Sequence, residues 1–191
     1  MINLNELKTK SNLLSLFRLF LAIPIYYFIE NINSPEYNRI ILFGIFFLVY
    51  ITDILDGYLA RKFNEVTEMG KIIDPLADKV VVITIVVKFW LDGMIPDYYF
   101  WTIVLRDLII FLGGIYVSKR IGKVLPSNKL GKITVLTIAS YILCVLAQLD
   151  IRLPWMYDLF LYASLTLSFL SVIAYAMRGY DAIKWSKNET V

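Results

Sequence analysis

The chain contains no histidine and a single cysteine, and only 18% of its 191 residues are charged. Without histidine, imidazole nucleophiles, imidazole bases and His-ligated metals are all excluded. Cys144 stands alone in an apolar run, so it forms no intrachain disulfide and reads as a small buried hydrophobe. The charge deficit is matched by an apolar excess of 59%, against roughly 45–50% in soluble domains. Mean hydropathy is +0.66. One soluble core of this size cannot hide that much apolar surface, so the solvent is lipid.

Apolar runs at about 13–29, 40–59, 72–91, 98–117, 133–149 and 155–177 each have the length of a membrane-crossing helix. The breaks between them carry turn chemistry, as at Asp92-Gly93 and Pro126-Ser127-Asn128. The expected architecture is an all-α integral membrane protein of six transmembrane helices in one domain covering 1–191. Residues 1–12 are expected as a cytoplasmic or interfacial segment and 178–191 as a cytoplasmic tail. The first run has no small-x-small cleavage site after it and reads as retained rather than as a signal peptide.

Basic residues orient the chain. Thirteen of nineteen, including Arg61, Lys62, Lys119, Arg120 and Arg178, fall on one side, and only Arg39, Lys88 and Arg152 fall on the other. That split places both termini in the cytoplasm and requires an even number of spans. Tyr26, Tyr27, Tyr98, Tyr99, Trp101, Trp155 and Tyr157 gather at outer span ends and read as an interfacial aromatic belt.

The chemistry lies in Asp53-x₂-Asp56-Gly57-x₂-Ala60-Arg61-x₈-Gly70-x₃-Asp74-x₃-Asp78. Spacings of three and four put each aspartate pair on one helix face. A short connection makes the two helices antiparallel neighbours, so four carboxylates converge just inside the cytoplasmic interface. Facing lipid, they would cost roughly 10–14 kcal/mol, at about 2.5–3.5 each. Divalent cations remove both that cost and the mutual repulsion. Hard oxygen ligands select Mg²⁺ or Mn²⁺, and four carboxylates suit two ions. Gly57, Ala60 and Gly70 allow close approach of a ligand to backbone, and Arg61 is placed to meet a phosphate. An ion or proton transporter is the alternative class, but it predicts carboxylates spread through the membrane depth, not gathered at one end.

This pattern resembles the complete signature of the CDP-alcohol phosphotransferases, membrane enzymes of phospholipid synthesis. The resemblance implies that Asp53, Asp56, Asp74 and Asp78 bind two divalent metals, with Asp78 as general base. It also implies that Asp56, Gly57, Ala60, Arg61 and Gly70 contact the CDP moiety. An acceptor hydroxyl would attack the lipid-side phosphorus of CDP-diacylglycerol and CMP would leave. The implied setting is the inner membrane, with the site on the cytoplasmic face. Membrane lipids would be partners, nucleic acid would not, and a homodimer is compatible.

Beyond the signature, Arg106 within a span and the basic residues Lys129 and Lys132 are candidates for binding the acceptor. The opening Asn12-Leu-Leu-Ser15-Leu-Phe-Arg18 resembles that of bacterial phosphatidylglycerophosphate synthases, which implies glycerol 3-phosphate as acceptor. The chain differs from that subfamily in carrying Asp107 in place of glutamate, Gly114 in place of a second arginine, and Thr134 in place of a lysine. Phosphatidylglycerol, as in CDP-dependent cardiolipin synthases, and an inositol phosphate are the alternative acceptors.

Overall fold

The apolar runs become helices. The computed structural model describes residues 9–32, 37–62, 70–122 and 128–188, and those residues form seven helices. They are α1 (Lys10–Glu30), α2 (Tyr37–Lys62), α3 (Gly70–Leu91), α4 (Asp97–Ile121), α5 (Lys129–Leu146), α6 (Leu149–Arg152) and α7 (Pro154–Asn188). Five of them, α1, α2, α4, α5 and α7, are long and apolar enough to cross a bilayer. The protein is therefore an all-helical membrane protein. α3 carries Asp74, Asp78, Lys79 and Lys88 and is not among the five.

Helix ends follow local chemistry. The Thr9 hydroxyl accepts from Asn12 N at the start of α1, and Asn128 Oδ1 accepts from Gly131 N at 2.6 Å at the start of α5. α3 ends in a turn where Gly93 has φ +69° and Met94 N donates to Phe89 O at 2.8 Å, a conformation that glycine adopts without strain. α7 does not stop near residue 177. It continues for eleven residues to Asn188, so the expected tail is helical through that point. Of the expected interfacial segment, residues 1–8 lie outside the described residues and 9–12 open α1.

The chain divides into two compact units, Met1–Met94 and Ile95–Val191. In the first unit α1 is central and packs against both α2 and α3. Its buried stripe is Asn12, Ser15, Arg18, Leu21, Ile25 and Ile29, three or four residues apart, polar in one half and apolar in the other. At the apolar end Lys88 of α3 is buried, paired with Glu30 and, at 2.7 Å, with Asp92. Lys88 is thus an internally neutralised charge.

In the second unit α7 is central and packs against α4, α5 and α6. Tyr99, expected in the aromatic belt, is instead fully buried. Its hydroxyl lies 3.1 Å from Ser164 Oγ and its ring centroid 4.3 Å from that of Tyr141. The Tyr141 hydroxyl in turn meets that of Tyr157 at 2.7 Å. Tyr26, Tyr27, Tyr98, Trp101 and Trp155 are exposed on helix surfaces, as a belt requires.

Candidate functional site

Carboxylates near lipid need counter-charge, and α1 supplies it from within its buried stripe. The Arg18 guanidinium is fully buried. Its Nη1 donates to Asp53 Oδ1 at 3.0 Å and also to Asp78, while Nη2 donates to Asp56. Ser15 Oγ, one turn earlier, donates to Asp56 Oδ2 at 3.2 Å. Three helices thus bring three of the four predicted aspartates onto one cation. Exposure grades the three: the Asp56 side chain is 6% exposed, Asp78 47% and Asp53 54%. Asp56 is therefore the anchored carboxylate, while about half of each of the other two side chains reaches the surface.

The three carboxylates outnumber the guanidinium they share. The donor set is wholly hard oxygen, the chemistry that suits Mg²⁺ or Mn²⁺. Arg18 occupies the centre of the cluster as an internal cation. Among the described residues, no group of three or more acidic side chains is already gathered in a metal-holding arrangement. The residues fit the ions by charge and ligand chemistry. Asp74 sits on α3 and Gly57, Ala60 and Arg61 on α2, with Gly70 opening α3, but the side-chain surroundings of all five lie outside the described residues.

Sequence reasoning passed over Arg18 as a participant. The signal was present: an arginine within a span is expensive, and Asn12, Ser15 and Arg18 recur every three residues on one face of an otherwise apolar helix.

The second unit holds a separate cleft of about 530 Å³ bordered by α4, α5 and α7. Arg106 and Lys132 line it together with Ser171 and Tyr175. The Arg106 side chain is 10% exposed, and its Nη1 meets the largely exposed Asp107 at 2.5 Å. Its Nε donates to Ser171 Oγ at 3.1 Å. Nη2 lies 3.8 Å from the place a Cβ on Gly131 would take and has no partner among the described residues. Lys129, the third candidate, is exposed and does not line the cleft. Thr134 is buried, donating to Leu130 O at 2.8 Å and Leu167 O at 3.2 Å, which fixes α5 to α7. An open, cationic cleft of this size suits a small anion.

These features agree with what the chain is similar to. The sequence profile of the CDP-alcohol phosphatidyltransferases matches residues 8–178. A CDP-diacylglycerol–glycerol-3-phosphate 3-phosphatidyltransferase of Aquifex aeolicus is 34% identical over 178 residues, covering 90% of this chain and 96% of that protein. The enzyme of the same name from Bacillus subtilis is 33% identical over 148 residues, 74% of this chain and 75% of its own. A CMP-forming cardiolipin synthase of Rattus norvegicus is 34% identical over 113 residues, 59% of this chain but 36% of its own. With the profile running from the start of α1 into α7, the chain belongs to the CDP-alcohol phosphatidyltransferase family.

Proposed function

We propose that this chain transfers the phosphatidyl group of CDP-diacylglycerol to glycerol 3-phosphate and releases CMP. The observation that carries the reading is the convergence of Asp53, Asp56 and Asp78 from two helices onto one buried arginine. Glycerol 3-phosphate as acceptor is supported by the match to the Aquifex aeolicus enzyme along nearly its whole length.

Asp53, Asp56, Asp74 and Asp78 would hold two divalent ions. Such ions, when bound, supply counter-charge for the diphosphate and for the departing CMP. Asp78, half exposed, accepts the proton of the acceptor hydroxyl. That oxygen forms a bond to the phosphorus bearing diacylglycerol, and the bond from this phosphorus to the CMP oxygen breaks. Arg18 and Ser15 hold Asp56 in place during the exchange. Gly57, Ala60, Arg61 and Gly70 contact the CDP moiety. Arg106 and Lys132, with Lys129 nearby in sequence, hold the acceptor phosphate. The chain crosses the inner membrane six times, α3 included, with both termini and the reacting groups on the cytoplasmic side.

An acceptor panel tests the reading. Purified protein, CDP-diacylglycerol and Mg²⁺ are offered glycerol 3-phosphate, phosphatidylglycerol or inositol phosphate, and product masses are read. Phosphatidylglycerophosphate is expected. Cardiolipin as the sole product would overturn the acceptor while keeping the chemistry.

A further inference from the structure

The Arg106 cleft is lined by a tyrosine that the proposed reaction has not used. Tyr175 lies one turn after Ser171 on α7, and both side chains border the cleft. Ser171 Oγ is already occupied, accepting from Arg106 Nε and donating to Ser168 O at 2.8 Å. Asn128 has its oxygen held by the α5 cap. The Tyr175 hydroxyl has no hydrogen-bond partner among the described residues.

Its seat is made by glycine. A Cβ on Gly114 of α4 would fall 2.9 Å from the Tyr175 hydroxyl, and one on Gly113 would fall 3.8 Å from the ring at Cε1. Adjacent glycines inside a helix are less stable there than alanines would be. Here they leave a side-chain-free patch on α4 against which the Tyr175 ring lies. Any other residue at 114 would displace the hydroxyl.

Charge supplies the use. A phosphate monoester carries about −1.5 to −2 at neutral pH. Arg106 and Lys132 provide two positive charges, and Asp107 offsets part of one. A neutral donor is the group that completes the recognition without adding a further cation to a membrane helix. We propose that the Tyr175 hydroxyl donates a hydrogen bond to the acceptor's phosphate, beside Arg106 and Lys132, and that Gly114 sets its position. This inference rests on the cleft being the acceptor site.

The experiment uses the full chain in detergent or vesicles and the Tyr175→Phe variant, which keeps the packed ring. The KM for glycerol 3-phosphate should rise about tenfold, while kcat and the KM for CDP-diacylglycerol move less than about twofold. Equilibrium binding of radiolabelled glycerol 3-phosphate should weaken by the same factor. Gly114→Ala should raise the same KM by less and should add nothing on top of Tyr175→Phe, since both act through one hydroxyl. An unchanged acceptor KM in Tyr175→Phe, or equal losses toward donor and acceptor, overturns the inference alone. No product from glycerol 3-phosphate with the wild-type chain overturns the acceptor reading and this inference with it.

Discussion

Each unit of the molecule buries an arginine at its central helix, Arg18 on α1 and Arg106 of α4 against α7, and the two are paired in opposite ways. Arg18 is enclosed by Asp53, Asp56 and Asp78, so that anionic charge exceeds cationic charge and the guanidinium organises its neighbours. Arg106 has one exposed carboxylate and one serine, and it borders an open cleft with Nη2 unclaimed. A buried cation with too many anions is an internal scaffold that leaves room for more positive charge. A nearly buried cation with too few is a binding group awaiting an anion. On the proposed function the same residue type, a few turns into a lipid-crossing helix, does two jobs according to its partners.

The largest test of that contrast falls on the carboxylates. Asp78→Asn should lower CMP release by about 10²–10⁴-fold, the usual worth of a positioned base, while the protein still inserts and purifies. Asp53→Asn and Asp74→Asn should likewise abolish turnover at any Mg²⁺ concentration. Ordinary rates in these variants would remove the four-carboxylate site. Stripping metal with EDTA should silence the wild-type enzyme, with Mg²⁺ or Mn²⁺ restoring it and soft metals failing. Activity that survives exhaustive chelation contradicts this.

Next comes Arg18 itself. Arg18→Met takes the guanidinium away from buried Asp56 and should destabilise the first unit by about 3 kcal/mol, read as thermal unfolding in detergent. Arg18→Lys, retaining the charge without the fork, should lie between. An Arg106→Ala variant should behave differently, keeping its fold and raising the acceptor KM roughly 10- to 150-fold with the donor KM unchanged. Pairing it with Asp107→Ala controls for the orphaned carboxylate. Equal losses toward both substrates would make Arg106 a second scaffold and dissolve the comparison. The smallest effect belongs to Lys129→Ala: outside the cleft, it should shift the acceptor KM by less than about twofold, and Lys132→Ala by more.

Much of this was readable before any coordinates. Asp53 and Asp56, three apart at the end of an apolar run, declare a shared face, because helical periodicity is local and the expense of charge in lipid is large. Partners distant in the chain are another matter. Arg18 meets carboxylates 35, 38 and 60 residues away, and no local spacing encodes that. Tyr99 was read as interfacial for a related reason. Tyr98 and Tyr99 are adjacent, but neighbouring helical positions point about 100° apart, so one faces outward and the other fills the core. Gly114 stood out as a departure from related sequences, and only packing against Tyr175 shows what its missing side chain admits.

The pairing of Arg18 also has a consequence for how the protein is made. α1 leaves the ribosome before α2 and α3, with a strongly apolar span and one arginine inside it. Alone in lipid that arginine costs about 2.5–3.5 kcal/mol at a helix centre. Its first counter-charge is 35 residues further on, and Asp78 arrives 60 residues later. At roughly 5–20 residues per second, the wait for Asp78 is about 3–12 s. The full set of contacts that offsets the cost of Arg18 in lipid is thus complete only once α3 has been made.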